Sequence, residues 1–197
     1  MLKIGLTGGI GTGKSSVAKL FEQLNIPVYY ADERAKEVML TQPIKDKITK
    51  LFGPQAYKDN RLNVRYISGI VFDDKSMLKA LEQIVHPAVK NDFNQWVKQQ
   101  NSPYLMVENA ILHKTGMDKS VDKIIVVTAD KDLRIERLKK RDNKTQAQLE
   151  KIMEVQENQD FLLNEADFII KNNGKMKDLE QKVRKIDLKV KNMLNKS

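Results

Sequence analysis

GLTGGIGTGKSS, residues 5–16, holds five of the chain's nine glycines and closes on a lysine and two hydroxyls. Glycine concentrated outside a linker marks a backbone that bends sharply or comes close to something. Residues 8–15 read G-G-I-G-T-G-K-S and fit G-x-x-x-x-G-K-[ST], the phosphate-binding loop pattern. The apolar run LKIGLT (2–7) precedes it, and a helical pattern with Val17, Ala18, Leu20, Phe21 and Leu24 follows. Between a strand and a helix, such a loop turns its amides inward at the positive end of the helix and cradles a phosphate chain. Gly9, Gly11, Thr12, Gly13 and Ser16 belong to that cradle. Lys14 is in reach of the β- and γ-phosphates, and the Ser15 hydroxyl of a Mg²⁺ ion. A chance match in a chain this long is roughly one in a hundred, and the strand–loop–helix setting lowers that further. No G-x-G-x-x-G occurs, which argues against a dinucleotide fold.

Composition narrows the class. The 197 residues are 41% hydrophobic and 31% charged, enough for a packed core. No apolar run is long enough for a bilayer span, and glycines interrupt the N-terminal segment where a signal peptide needs an apolar stretch. Without cysteine there is neither disulfide nor thiolate metal site, and a soluble cytoplasmic protein is expected. The net charge of +9 raises a nucleic-acid reading, but residues 171–197 hold nine Lys/Arg against three Asp/Glu. There Met176, Leu179, Val183, Ile186, Val190 and Met193 recur at helical spacing, so the lysines read as the wet side of an amphipathic helix. Neither a nucleic-acid nor a membrane partner is expected, and a monomer is, with a weak oligomer left open.

Five short apolar runs read as strands: 2–7, 26–31, 103–109, 122–129 and 166–172. Helix-sized segments between several of them predict a parallel sheet covered on both faces. The fold expected is a P-loop NTPase: a three-layer αβα domain over 1–197 with a parallel five-stranded sheet. A helical substrate-binding insertion is expected over about 32–84. Residues 130–160 read as two polar helices joined near Asn143, with few apolar positions, and are expected to form a lid. The D-x-x-G and N-K-x-D signatures of GTPase switches are absent, and a small-molecule kinase fits better.

Taken together, GLTGGIGTGKS, YADERAKEV (30–38), VHPAV (85–89), KKRD (139–142) and ADFIIKNNG (166–174) resemble the dephospho-CoA kinase family over residues 1 to about 174. The resemblance implies transfer of the γ-phosphate of ATP, with Mg²⁺, to the ribose 3′-hydroxyl of 3′-dephospho-CoA. It implies that Asp32 is the general base; from residues alone, a helix N-cap is an equal reading. It makes Arg141, helped by Arg137, a lid pair closing over the ATP phosphates, where the default is a solvated charge run. Asn173 joins the ATP contacts. On the substrate side it implies Asp32, Arg65, His86 and Glu108, although His86-Pro87 also suits a boundary between two helices. Glu108 would organise Mg²⁺ through water, or serve as a buried structural carboxylate. The chain departs from the family pattern at Tyr30, where an Asp is usual, at Val64, where an Arg is usual, and at Lys114, where an acid is usual. Two rivals follow from the same residues: a nucleoside or nucleoside-monophosphate kinase, and a non-catalytic nucleotide-binding or nucleic-acid-associated module.

Overall fold

Apolar runs rich in Val and Ile leave neither face of a strand for water, so they are expected in a sheet with helices on both sides. The computed structural model describes residues 1–142, 145–155 and 163–195. In chain order it begins β1 (Leu2–Thr7), α1 (Lys14–Glu22), β2 (Val28–Tyr30), α2 (Ala31–Val38), α3 (Gln42–Phe52), β3 (Tyr57–Lys58), β4 (Arg61–Leu62) and α4 (Val64–Asp73). It continues α5 (Lys75–Lys98), β5 (Tyr104–Glu108), β6 (Lys123–Thr128), α6 (Lys131–Arg141), α7 (Gln146–Val155), β7 (Phe168–Lys171) and α8 (Met176–Leu194). By contact the chain divides into two compact units, Met1–Tyr30 with Gln100–Ser197, and Ala31–Gln99.

The first unit holds a five-stranded sheet in the order β2-β5-β1-β6-β7, with every pairing parallel. All five expected strands are present. Carboxylates at two strand starts pin the register: the Lys3 amide donates to Asp122 Oδ2 at 2.7 Å, and the Ile124 amide to Asp167 Oδ2 at 2.8 Å. The core on one side joins Ile4, Leu6, Met106, Ile125 and Val127 of the sheet to Val17 and Phe21 of α1. From α8, Leu179, Val183, Ile186 and Val190 complete it. The amphipathic tail therefore docks as its periodicity requires, each buried aliphatic contributing about 1.5–3 kcal/mol at most. Its end residues Met176 and Met193 stay exposed. The same helix also buries Asp187, which accepts from Tyr104 Oη at 2.7 Å and from Lys191 Nζ at 2.9 Å. Burial, and then the Asp187 carboxylate, hold the Tyr104 phenol well above its ordinary pKa.

The second unit is helical, with a hairpin that the sequence reading does not contain. Asp59 and Asn60 both have positive φ (51° and 59°), the backbone of a tight turn between β3 and β4. Asn63 caps α4 by accepting from the Tyr66 amide at 3.2 Å, and Asp74 caps α5 by accepting from the Ser76 amide at 2.7 Å. Arg34 Nε donates to Asp92 Oδ2 at 2.8 Å, tying α2 to α5. The boundary considered at His86-Pro87 is corrected: α5 is one helix of 24 residues with Pro87 inside it. Proline removes one backbone donor there, and Val85, Val89 and Phe93, all buried, keep the helix docked on either side.

Candidate active site

The loop leaves the C-terminal end of central strand β1, the edge where α/β sheets bind ligands. Two glycines are obligatory there. Gly8 has φ +147°, and a Cβ on it would collide with the Val127 carbonyl oxygen. Gly13 has φ +94° and a Cβ would strike Asn172 Nδ2. Within the turn, Thr12 Oγ1 donates to the Gly9 carbonyl at 2.8 Å, and Lys14 Nζ to the Gly8 carbonyl at 2.7 Å. The Ser16 and Val17 amides both reach the Gly13 carbonyl at 3.1 Å, starting α1. The amides of a first helical turn have no acceptor within the helix and point out of its end, where an anion satisfies them. Lys14 is buried, Ser16 half-buried and Ser15 exposed at that end.

Three side chains take the loop's carbonyls in succession. Arg134 Nε donates to the Ile10 carbonyl at 2.8 Å. Arg137 Nη1 lies 3.5 Å from the carbonyls of both Gly11 and Thr12, and its Nη2 donates to the Asn172 carbonyl at 2.9 Å. Asn172 Nδ2 donates to the Thr12 carbonyl at 2.8 Å. In a trans peptide, N–H and C=O point opposite ways. Fixing the carbonyls of Ile10 and Thr12 on one side therefore turns the amides of Gly11 and Gly13 to the other. Such amides form a cradle that needs little reorganisation when a phosphate arrives.

The arginines divide differently from the sequence reading. Arg137 is on the loop, whereas Arg141 is exposed and binds Asp142 through two hydrogen bonds of 2.8 Å, which push its pKa up further. Asn173 accepts from the Asp130 amide at 3.0 Å, joining the end of β7 to the start of α6. Arg134 and Asn172 were missed. Arg134 lies three residues before Arg137, on the same helical face, and that spacing was the available signal. The few apolar positions of α6 and α7 have a use: Ile135, Leu138 and Leu149 are buried together, with Ile10 of the loop and Met153 packed against them. The expected junction at Asn143 and the last part of the 130–160 segment lie outside the described residues.

Glu108 is buried at the end of β5, in register with Leu6 of β1 and Tyr30 of β2. Beyond it, Asn109 Oδ1 accepts from the Ile111 amide at 2.8 Å and its Nδ2 donates to Thr115 Oγ1 at 3.0 Å, so a side-chain turn shapes the segment around exposed Lys114. Asp32, Arg65 and His86 belong to the helical unit. Asp32 lies in the first turn of α2, which begins at Ala31. It is exposed, as is Arg65 in the first turn of α4, and His86 is half-buried on α5.

The family model described as dephospho-CoA kinase, CoaE, matches residues 2–178. A dephospho-CoA kinase of Fusobacterium nucleatum is 32% identical over 183 residues, spanning 92% of this chain and 95% of that relative. Another, from Gamma-proteobacterium EBAC31A08, is 34% identical over 194 residues, spanning 98% of both. The crystal structure of TT1252 from Thermus thermophilus superposes with a TM-score of 0.85 at 28% identity, covering 95% of this chain and 96% of that one. A shikimate kinase from Bacteroides thetaiotaomicron, at TM-score 0.60 and 14% identity over 96% of this chain and 98% of its own, shares the P-loop kinase fold. With its glycine loop preset for phosphate and a family match running from β1 into α8, the chain belongs to the dephospho-CoA kinase family of ATP-dependent phosphotransferases.

Proposed function

We propose that this chain performs its family's reaction, phosphorylation of the ribose 3′-hydroxyl of dephospho-CoA by ATP, with the roles below. The observation that carries the reading is the loop itself. Its Ile10 and Thr12 carbonyls are held by Arg134 and Asn172, which leaves the Gly11 and Gly13 amides for the phosphate chain. Lys14, now on the carbonyls of Gly8 and Gly9, is a short rotation from a phosphate lying over those amides, where its charge offsets negative charge in the transition state. Arg137 is already beside the loop, and Arg141 must leave Asp142 to join it. Closure of α6 and α7 over the nucleotide would exclude water and so limit wasteful hydrolysis.

Asp32 is assigned as the base. It stands two residues along the chain from Tyr30, as an exposed carboxylate in the first turn of α2. It would accept the proton of the 3′-hydroxyl as that oxygen attacks phosphorus and the bond to the β-γ bridging oxygen of ATP breaks, with ADP as leaving group. Arg65 and His86 are assigned to the substrate side, within a helical unit taken as the substrate-binding part.

The residues fit Mg²⁺ carried on ATP rather than in a cage of protein ligands. Among the described residues no group of three or more His, Asp or Glu converges on one point. Mg²⁺ keeps most of its waters and needs few protein ligands, so the exposed Ser15 hydroxyl and Glu108 acting through water suffice to hold it. At the end of β1, one residue beyond the partner of Glu108, the buried Thr7 hydroxyl has no hydrogen-bond partner among the described residues, a polar atom suited to the water shell of such an ion. The ion would neutralise phosphate charge and align the γ-phosphate.

Among the described residues no helix is long and apolar enough to cross a membrane. The reading adds that the protein is cytoplasmic, acts as a monomer on two small molecules, and binds no nucleic acid. In support, lysines of α8 occupy the side opposite its docked stripe. The test is ADP release with Mg²⁺ and ATP, measured with and without dephospho-CoA, against nucleosides and nucleoside monophosphates as alternative acceptors. ADP formation that depends on dephospho-CoA alone is expected; efficient phosphorylation of another acceptor instead would overturn the reading.

A further inference from the structure

Arg134 is a buried cation whose charge the kinase mechanism above does not use; there it serves only through its hydrogen bond to the Ile10 carbonyl. It is 6% exposed, and among the described residues its side chain's one hydrogen bond is from Nε to the Ile10 carbonyl, with no carboxylate paired to the guanidinium. Burial alone pulls its pKa below that of a free guanidinium. The loop is shaped around it: a Cβ on Gly9 would sit 2.6 Å from Nη2, and one on Gly11 would sit 3.0 Å from the Arg134 carbonyl oxygen. A buried charge without a partner is destabilising, and a neutral side chain of similar length would fill this space without that cost. The arrangement is therefore unfavourable until an anion comes close, and the amides of the loop already face a place for one.

We propose that Arg134 is a positioning residue for the nucleotide's phosphate chain. Its Nε clamps the Ile10–Gly11 peptide so that the Gly11 amide faces the phosphates, and its charge, held on the carbonyl side of that peptide, meets nearby negative charge only when they bind. In consequence the ligand-free protein carries a stability deficit that polyphosphate binding relieves. The inference rests on the phosphate-binding reading of the loop.

The experiment compares wild type with Arg134→Gln and Arg134→Lys by calorimetric binding of ATP, inorganic tripolyphosphate and adenosine, and by thermal melting with and without ATP. For Arg134→Gln, affinity for ATP and tripolyphosphate should fall about tenfold or more, the scale of one poorly screened charge. Adenosine affinity should stay the same. The ligand-free melting temperature should equal or exceed that of wild type, while the increment on adding ATP shrinks. Arg134→Lys should recover part of the tripolyphosphate affinity, keeping the charge without the fork. Unchanged tripolyphosphate affinity in Arg134→Gln overturns the proposal. So does a lower ligand-free melting temperature with equal losses for adenosine and ATP, the mark of a merely structural clamp. Wild type that binds neither ATP nor tripolyphosphate would remove the phosphate reading of the loop along with it.

Discussion

Replacing Gly13 by alanine tests whether the loop is held from behind by Asn172. Two costs add. With φ +94° and ψ 27°, Gly13 sits where a Cβ is strained, about 1–3 kcal/mol. The new methyl also occupies the position of Asn172 Nδ2, so that amide must release the Thr12 carbonyl, 2.8 Å away and buried, at about 1–3 kcal/mol. Together they predict a loss of about 2–6 kcal/mol, or roughly 4–24 °C in melting temperature for a chain of this size. ATP affinity should fall as well, since the Thr12–Gly13 peptide carries one of the cradle amides. The double variant Gly13→Ala/Asn172→Ala sharpens the test. Asn172→Ala alone already forfeits the same bond, so the two losses overlap and the double variant should cost less than their sum by about 1–3 kcal/mol. Calorimetric melts of the four proteins, with and without ATP, measure this. Strict additivity, or a Gly13→Ala protein melting within about 1 °C of wild type, would refute the bracket.

Asp32→Asn should lower turnover by about 10² to 10⁴ with ATP affinity nearly intact, and near-normal turnover in steady-state assays would remove Asp32 as base. Lys14→Ala should weaken ATP binding in titration calorimetry, because its Nζ, on the Gly8 and Gly9 carbonyls at 2.7 and 3.4 Å, is the charge nearest the phosphate cradle, and unaltered ATP affinity would contradict that role. Asp187→Ala strands the buried Tyr104 hydroxyl and should cost about 1–3 kcal/mol; adding Tyr104→Phe should recover part of it, and a double variant no more stable than Asp187→Ala would contradict the pairing. In each case chemical denaturation measured beside activity separates lost folding from lost function.

Much of the fold was readable because its signals are local and strong. Runs such as KIIVV in β6 are too apolar to face water on either side, and several of them are followed by helix-sized polar periodicity. The loop announces itself because only glycine tolerates the backbone at Gly8 and Gly13. Other features were not readable. Pro87 reads as a boundary, yet packing around Val85, Val89 and Phe93 carries α5 through it. The β3–β4 hairpin is two residues a side, too short to show alternation, although Asp59-Asn60 was a usable turn signal. Nothing local to Asp187 signals its burial, which a partner 83 residues away, Tyr104, explains.

By itself the sequence determined the five strands of the parallel sheet, the phosphate loop and the chemistry of Lys14 and Ser15, because backbone sterics and hydrophobic periodicity act over a few neighbouring residues. What the tertiary structure alone decided is which long side chains serve that loop. Arg134, Arg137 and Arg141 share one face of α6 at spacings of three and four, and nothing local tells them apart. Docking of α6 beside the loop sets two of them on its carbonyls and leaves the third with Asp142. Asn172 joins them from a strand end far away in the chain. Such long-range choices depend on how separate elements pack, and the charge pattern of one helix does not carry that information.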